Sequence, residues 1–251
     1  MRILIISDIH TEFWRGGNMP ELPPVPENID LVIAAGDIGV GVEGMHWVRG
    51  MFPESQIIYI NGNHELYHQE YFDLKNEQTL LANQLNIHFL DPGTVTINGW
   101  KFIGANLWTD FKLQGYRDLE PWDLQGFADF SVIRFNEDKM SLSTMRQIHQ
   151  LEKQFIISEL EKGDNEKTIV ITHFVPSQLC IHEKWVNNRC NPYFTNDLDD
   201  LFDRFKYPIH IYGHTHDRMD QVHPYGTRLI GNPLGYPKEN PEQYEWKIIE
   251  V

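Results

Sequence analysis

Five short polar clusters in the sequence carry side chains able to bind metal ions, and each follows a run of apolar residues. In open α/β sheets, ligands bind beyond the carboxyl ends of the strands. A lone histidine or aspartate at a strand end is usually a turn or surface residue, but five such clusters in succession predict one shared site. The clusters are Asp8-Ile9-His10, Gly36-Asp37, Gly62-Asn63-His64-Glu65, His173 and Gly213-His214-Thr215-His216.

Seven of these side chains are candidate metal ligands, more than a single octahedral ion can accept while keeping room for water or substrate. Two ions that share one ligand explain the number better. Mixed imidazole and carboxylate ligation suits Mn, Fe, Zn, Co or Ni more than Ca or Mg, and we favour Mn. The set contains no cysteine, the usual mark of a structural zinc site. The candidate ligands are Asp8, His10, Asp37, Asn63, His173, His214 and His216.

A pair of divalent ions would carry four positive charges, of which Asp8 and Asp37 compensate two, so the site would attract a phosphate group. Two metals roughly 3.5–4 Å apart lower the pKa of a bridging water and hold the attacking and leaving oxygens of an in-line displacement. The residues therefore predict metal-assisted hydrolysis of a small phosphate-ester substrate.

The elements that must position these clusters read as an α/β fold. The apolar runs are rich in Ile and Val and continuous, which is typical of strands buried on both faces. The predicted strands are Ile3–Ile6, Leu31–Ala35, Ile57–Ile60, Phe102–Leu107, Ile169–Ile171, Ile209–Tyr212, Arg228–Ile230 and Trp246–Val251.

Three helices are predicted between the strands. One spans Tyr71–Leu85, with an apolar face that includes Phe72, Leu80, Leu81 and Leu85. A second spans Leu142–Leu160, with apolar positions 142, 145, 148, 151, 155 and 156 at helical spacing. A third begins at an expected N-cap, Thr195, with acidic residues in its first turn and Leu198, Leu201, Phe202 and Phe205 toward the core.

The length of 251 residues and the absence of a linker predict a single domain over residues 1–251. Residues 14–28 and 109–136 have no clear period, and the second, aromatic stretch is long enough to form a lid or rim insertion around 109–140.

Composition excludes several classes of protein. The net charge of −15 makes nucleic acid an unlikely partner, because phosphate backbones are bound mainly through Lys and Arg. Two cysteines, Cys180 and Cys190, do not make a disulfide framework. We find no signal peptide and no apolar run near the ~20 residues that span a bilayer, so no membrane partner is expected and the expected location is cytoplasmic. Oligomeric state cannot be read from the sequence.

The order of the motifs resembles the calcineurin-like metallophosphoesterase superfamily, whose pattern is D-x-H, G-D, G-N-H-[DE], H and G-H-x-H. The match is complete from residue 8 to residue 216. The resemblance implies a two-sheet α/β/β/α sandwich with mixed sheets. It also implies that Asp37 bridges two metals, that His64 contacts the substrate phosphate and protonates the leaving oxygen, and that the remaining ligands divide into Asp8, His10 and His216 for one ion and Asn63, His173 and His214 for the other.

The chain departs from the protein Ser/Thr phosphatase pattern of that superfamily, G-D-x-x-D-R-G and R-G-N-H-E. The second Asp and both arginines are missing, which shifts the prediction toward phosphodiesters and leaves the usual Asp partner of His64 unidentified. The stretches "GANLWTDF", "THFVPS" and "GNPLGYPKE" are similar to a small bacterial and phage branch. They make Asn106, Trp108, Arg134 and Tyr236 candidate pocket residues, and Phe174 stands where many members have a second His.

The leading hypothesis is a phosphodiesterase that acts on a small or cyclic nucleotide by attack of metal-activated hydroxide. A phosphomonoesterase or a nuclease of the same superfamily is the alternative. A non-catalytic metal-binding scaffold is the third, and the full set of ligands argues against it because degenerate members usually lose ligands.

Overall fold

The structure, a computed structural model, describes residues 1–14, 19–239 and 241–251 and contains two large mixed β-sheets. The first sheet has the order β13-β1-β2-β3-β4, with β1–β4 parallel and β13 antiparallel to β1. Its strands are β1 Arg2–Ile6, β2 Leu31–Ala35, β3 Gln56–Ile60, β4 His88–Phe89 and β13 Lys247–Glu250.

The second sheet has six strands in the order β11-β12-β10-β9-β6-β5, in which the four inner strands run parallel and both edge strands are antiparallel. They are β5 Gly93–Ile97, β6 Trp100–Ala105, β9 Thr168–Thr172, β10 Ile209–Tyr212, β11 Met219–Val222 and β12 Arg228–Gly231. A small hairpin pairs β7 Arg134–Phe135 with β8 Asp138–Lys139.

The sheets pack face to face, and helices cover both outer faces. The α-helices are α1 Glu43–Met51, α2 Tyr71–Leu85, α3 Asp129–Val132, α4 Leu142–Leu160, α5 Asn191–Phe194 and α6 Asp199–Phe205. Six 3₁₀ turns complete the described elements: Thr11–Trp14, His64–Leu66, Pro121–Leu124, Gln178–Cys180, Glu183–Trp185 and Pro241–Gln243.

Alternate residues of each central strand serve different layers. In β1, Ile3 and Ile5 belong to the core between the sheets, while Leu4 and Ile6 pack toward α1 and α2. Helices α4 and α6 cover the outer face of the second sheet in the same way. Because both faces of these strands are buried, their sequences are continuously apolar, which confirms the predicted α/β/β/α sandwich.

The aromatic stretch around 109–140 forms a further apolar cluster at one end of the sandwich. Trp108, Phe111, Leu124 and Ile133 are buried there together with Phe174 and with side chains of α2 and α4. Of the other irregular stretch, 14–28, residues 15–18 lie outside the described part of the chain; residues 19–28 contain no helix or strand.

Three details of the predicted helices are wrong. In α2, Phe72 and Leu80 are exposed, and the inward face is Tyr71, Leu74, Gln78 and Ala82. These buried positions follow the 3.6-residue period, and one of them is a polar residue that a count of apolar side chains overlooks.

Leu151 of α4 is also exposed, since the neighbouring Glu152 takes the inward position. Thr195 is not an N-cap. It follows α5 in extended conformation and bridges to Val175, and α6 begins only at Asp199. The predicted inward residues Leu198, Leu201 and Phe202 are buried as expected, with Phe205 partly buried beside them.

Candidate metal centre

The ends of five parallel strands bring all the predicted ligands to one edge of the sandwich. The ligands follow their strands in chain order: Asp8 and His10 follow β1, Asp37 follows β2, Asn63 follows β3, His173 follows β9, and His214 and His216 follow β10. Three groups of side chains have ligand atoms within 4.8 Å of one another: Asp8 with His10 and His216, His10 with Asp37 and His64, and Asp37 with His173 and His214.

We call Asp8, His10 and His216 the first cluster, and Asn63, His173 and His214 the second cluster. Asp37 lies between them: its Oδ2 is 3.3 Å from His173 Nε2 and 3.8 Å from His10 Nε2. Within the first cluster, His216 Nε2 lies 3.1 Å from His10 Nε2 and 3.5 Å from Asp8 Oδ1. The arrangement has the composition and the spacing of a two-metal site.

The backbone of the candidate ligands is strained. Asp8, His10, Asp37, His214 and His216 all have positive φ, between 51° and 77°. The left-handed region costs a residue with a Cβ about 1–2 kcal/mol, and such strain concentrates at functional sites, where the surrounding structure enforces it. Five strained residues among seven candidate ligands indicate that the chain conformation is fixed here for the sake of side-chain placement.

Two motif glycines are required by the close approach of ligands. A Cβ on Gly62 would lie 2.1 Å from Asp37 Oδ1, and a Cβ on Gly36, whose φ is +84°, would lie 2.5 Å from His173 Nδ1. Any side chain at these positions would displace Asp37 or His173. The glycines of the G-D and G-N-H motifs are therefore part of the site.

Outer hydrogen bonds orient the ligands. Glu12 Oε1 lies 3.2 Å from His10 Nδ1, and Glu239 Oε2 lies 2.7 Å from His216 Nδ1. His173 Nδ1 contacts the backbone carbonyl oxygen of Ala35 at 2.9 Å. Such partners fix which ring nitrogen carries the proton and leave Nε2 facing the centre.

The carboxylates are held by backbone N–H groups. Asp8 accepts a hydrogen bond from His214 N, and Asp37 Oδ1 accepts one from His64 N. The fully buried Glu65 accepts hydrogen bonds from Asp37 N, Ile38 N, Gly62 N and the Tyr59 hydroxyl, and so ties the ends of β2 and β3 together.

Three buried polar atoms at the centre lack a hydrogen-bond partner within the described residues. They are Asn63 Oδ1, His173 Nε2 and His214 Nε2, which are the ligand atoms expected of the second cluster. A buried polar atom without a partner is costly, and native proteins rarely keep one without a role. The donor set therefore fits a divalent cation, which would satisfy all three atoms.

The carboxylates and imidazoles influence one another strongly. Burial opposes ionisation of Asp8, but His216 and His173 outweigh it and lower the pKa of Asp8 to about 2. Burial works against a charge on His216 as well, yet Asp8 and Glu239 raise its pKa to about 10. By contrast, burial and the neighbouring His173 hold the pKa of His214 well below its usual value.

A cavity of about 370 Å³ opens beside the centre. His64, Tyr67 and Tyr236 lie at its inner end, where the Tyr236 hydroxyl is 3.2 Å from His64 Nε2 and the Tyr67 ring stacks on the His64 ring at 4.1 Å. Aromatic side chains from three segments line the rest: Phe127, Trp185, Tyr193 and Phe194.

Of the four further pocket candidates, Tyr236 alone lines this cavity. Asn106 lies behind the centre. Its side-chain Nδ2 donates to Gly62 O, and its backbone carbonyl oxygen accepts a hydrogen bond from His173 N. Trp108 is fully buried against Phe174, and Arg134 is exposed and donates to the carbonyl of Glu137. Both cysteines, Cys180 and Cys190, are free thiols.

Sequence reasoning missed Glu12, Glu239 and Tyr67. Glu12 Oε1 lies 2.8 Å from His64 Nδ1 and is thus the carboxylate partner of His64 that the motifs left unidentified. A signal for Glu12 existed, because it stands two residues after His10 in a turn that follows the first motif. No comparable signal marks Glu239, because it contacts His216 only after the segment that follows β12 folds back toward the centre.

Two mixed sheets between helices, with carboxylates and imidazoles gathered at one edge, define a fold of the metal-dependent phosphoesterase class. The chain belongs to the calcineurin-like phosphoesterase family, whose model matches residues 1–218. Members hydrolyse phosphate esters and typically bind two divalent metals. No curated protein sequence matches this chain.

Solved structures share the fold. Phosphopantetheinyl hydrolase from Mycobacterium tuberculosis is 18% identical, with a TM-score of 0.75, over 98% of this chain and 95% of that one. A dimetal phosphatase from Danio rerio is 13% identical, with a TM-score of 0.59, over 99% of this chain and 91% of that one. In the described part of the protein, no helix has the length and apolarity to cross a membrane.

Proposed function

We propose that this protein is a dinuclear-metal phosphodiesterase that acts on small nucleotides, cyclic ones included. The first cluster would hold one divalent ion and the second cluster the other, with Asp37 shared between them. When bound, the metal pair activates water and compensates the charge of the phosphate group. Manganese is our favoured metal because imidazole, carboxylate and amide ligands occur together in the set.

The lining of the cavity is the observation that supports a diester. Among the described residues that line it, none is Lys or Arg, while the available donors are His64, Tyr67, Tyr236 and amide groups such as Asn63. Phosphate dianions are usually held by Arg or Lys. A diester carries a single negative charge, which neutral donors beside two metals can balance.

The outer part of the cavity supports a small nucleotide. Aromatic rings line it, and none of the described lining residues is a Lys or Arg that could hold a second charged phosphate. A neutral, flat base can stack on Trp185 or Phe127, as bases commonly do on aromatic side chains. We propose that the 109–140 segment acts as a rim that supplies Phe127 and Asp129 to this cavity.

Within this proposal His64 is the general acid. Its ring lies at the inner end of the cavity, and its Nε2 is 4.0 Å from Asp37 Oδ2. Burial opposes a charge on the ring, but Asp37 and Glu12 outweigh it and raise the pKa of His64 above its usual value. A histidine that keeps its proton near neutral pH suits delivery of that proton to a leaving oxygen.

The test compares bis-p-nitrophenyl phosphate with p-nitrophenyl phosphate, each with added Mn²⁺, followed by 3′,5′-cyclic AMP. We expect kcat/KM for the diester to exceed that for the monoester by at least tenfold. A preference for the monoester would favour the phosphomonoesterase alternative. Cleavage of labelled single- or double-stranded DNA would favour the nuclease, which the net charge of −15 argues against.

A further inference from the structure

Glu12 contacts two histidines that have different tasks. It lies on the 3₁₀ turn Thr11–Trp14, and its side chain is 11% exposed. A single oxygen, Oε1, lies 2.8 Å from His64 Nδ1 and 3.2 Å from His10 Nδ1. In the part of the chain that the structure describes, no other acceptor contacts the Nδ1 atom of either ring.

Both contacts of Glu12 are made to Nδ1 of a histidine ring, and each thereby determines where Nε2 of the same ring points. An imidazole that donates from Nδ1 to a carboxylate presents Nε2 on the opposite side. His10 Nε2 then faces His216 and Asp37, and His64 Nε2 faces the cavity, where the Tyr236 hydroxyl is 3.2 Å away. One carboxylate therefore aims one ring at the metal centre and the other at the substrate.

The two rings are also held in contact with each other. Their centroids are 4.4 Å apart in an edge-on arrangement, and the Tyr67 ring stacks on His64. Loss of the Glu12 carboxylate would leave the ring stacking and the Tyr236 hydroxyl at Nε2 to orient His64, with no acceptor at Nδ1. Stacking does not specify which ring nitrogen carries the proton, and the Tyr236 hydroxyl can either donate to Nε2 or accept from it.

We propose that Glu12 is a positioning residue for the reaction, which fixes the proton of His64 on the path to the leaving oxygen and fixes His10 as a metal ligand. This inference rests on the proposed function, in which His64 is the general acid. Glu12 itself is not among the residues that line the cavity, so it would act through the two histidines.

The proposed hydrolysis consumes one water molecule and leaves His64 protonated as before. The oxygen of a water molecule forms the new bond to phosphorus and gives up a proton, and the bond from phosphorus to the leaving oxygen breaks. The electron pair of that oxygen takes the proton from His64 Nε2, and the proton given up by water restores it. Throughout, the Nδ1 proton of His64 stays on the hydrogen bond to Glu12.

Two diesters separate positioning of the acid from general damage. Bis-p-nitrophenyl phosphate releases a stable phenolate that needs no proton, whereas 3′,5′-cyclic AMP releases an alkoxide that does. We expect Glu12→Ala, with saturating Mn²⁺, to reduce kcat for cyclic AMP about 100-fold or more and kcat for the activated diester about tenfold. Glu12→Gln keeps an acceptor oxygen and should fall between Glu12→Ala and the unmodified protein.

Two further variants serve as references. Glu54→Ala removes an exposed glutamate in the connection between α1 and β3 and should change neither rate. In a His64→Ala background, Glu12→Ala should no longer discriminate between the two diesters, because the group that it positions is absent. Equal losses on both diesters, with the same losses in the His64→Ala background, would overturn the proposal.

A spectroscopic measurement on the metal-free protein gives a readout that does not depend on turnover. Two-bond ¹H–¹⁵N spectra of the histidine rings should show a protonated Nδ1 for His10 and His64, and this signature should disappear in Glu12→Ala. Unchanged ring signals would contradict the proposal. If the unmodified protein hydrolyses neither diester, the proposed function fails, while the ring spectra still decide the role of Glu12.

Discussion

The two clusters of the metal centre differ in what lies behind them. In the first cluster, His10 and His216 hydrogen-bond to the carboxylates of Glu12 and Glu239. In the second cluster, His173 hydrogen-bonds to a backbone carbonyl, and the ring of His214 packs on Phe174 at 3.9 Å. The histidines of the first cluster are thus supported by carboxylates, and those of the second by a backbone carbonyl and an aromatic ring.

This difference predicts unequal metal sites. A carboxylate behind a histidine raises the basicity of the ligand and fixes its orientation. One of the two carboxylates, Glu239, lies at the rim of the cavity and is partly exposed to solvent. A cluster without such carboxylates depends on its neutral surroundings, so the two sites should respond differently to the same kind of substitution.

Asp37→Asn should have the largest effect, because this side chain lies between the clusters. The variant removes one negative charge from between the two clusters, and we expect kcat to fall by about 10³-fold or more. Metal analysis by plasma mass spectrometry should show weaker binding of both ions. Asp203→Asn, on the exposed side of α6, is the matched control. Loss of only one ion would show that Asp37 belongs to one cluster alone.

His64→Ala should affect the reaction and leave the clusters intact. The backbone N–H of His64 donates a hydrogen bond to Asp37 Oδ1, and the variant keeps this group, so both metals should remain bound. Activity on 3′,5′-cyclic AMP should fall by about 10²–10⁴-fold, as expected for loss of a general acid. If the metals were lost along with His64, the separation of ligands from the acid would be wrong.

Glu239→Gln tests the comparison itself. It keeps the shape of the side chain behind His216 but removes the charge, and we expect the affinity of one metal to fall by about 10–100-fold while the other is unchanged. Calorimetric titration of the metal-free protein with Mn²⁺ should resolve the two sites. Weakening of both sites to the same extent would remove the distinction between the clusters.

Glu152→Gln should produce the smallest effect, on stability at high pH. Glu152 is buried on the inward face of α4 and accepts a hydrogen bond from Leu107 N. Burial and, to a lesser degree, Asp91 raise the pKa of Glu152 from 4.5 to about 8. Between these values the folded protein binds a proton that the unfolded chain has lost, so the stability declines as pH rises through this window.

The neutral variant should not share this decline. At pH 8 the Tm of Glu152→Gln should exceed that of the unmodified protein by roughly 2–6 °C, and near pH 5 the difference should shrink, as differential scanning calorimetry would reveal. A difference that stays constant between pH 5 and pH 8 would mean that Glu152 is already ionised in the folded state.

The sequence was sufficient for the central strands and for the shared position of the candidate ligands, because both depend on local patterns; the edge strands β4, β5 and β11 were not predicted. A strand buried on two faces must be apolar throughout, and the residue types at its end identify the edge where ligands meet. The predicted strand Ile3–Ile6 and the observed β1 differ by one residue. All seven candidate ligands lie at the common edge.

What could not be predicted depends on contacts between distant parts of the chain. Glu239 reaches His216 across 23 residues, and Glu12 reaches His64 across 52. The exposed Phe72 and the buried Gln78 of α2 show the same limit, because tertiary packing rather than apolarity decides which side of a helix is buried. Extended backbone at Thr195 follows from its bridge to Val175, which no local signal announces.

The most direct test of the two-metal account is an anomalous-scattering map from crystals grown with Mn²⁺ and phosphate. We predict two peaks about 3.5–4 Å apart, with Asp37 contacting both and with the first and second clusters each contacting one. A single peak, or peaks away from these seven side chains, would contradict the account.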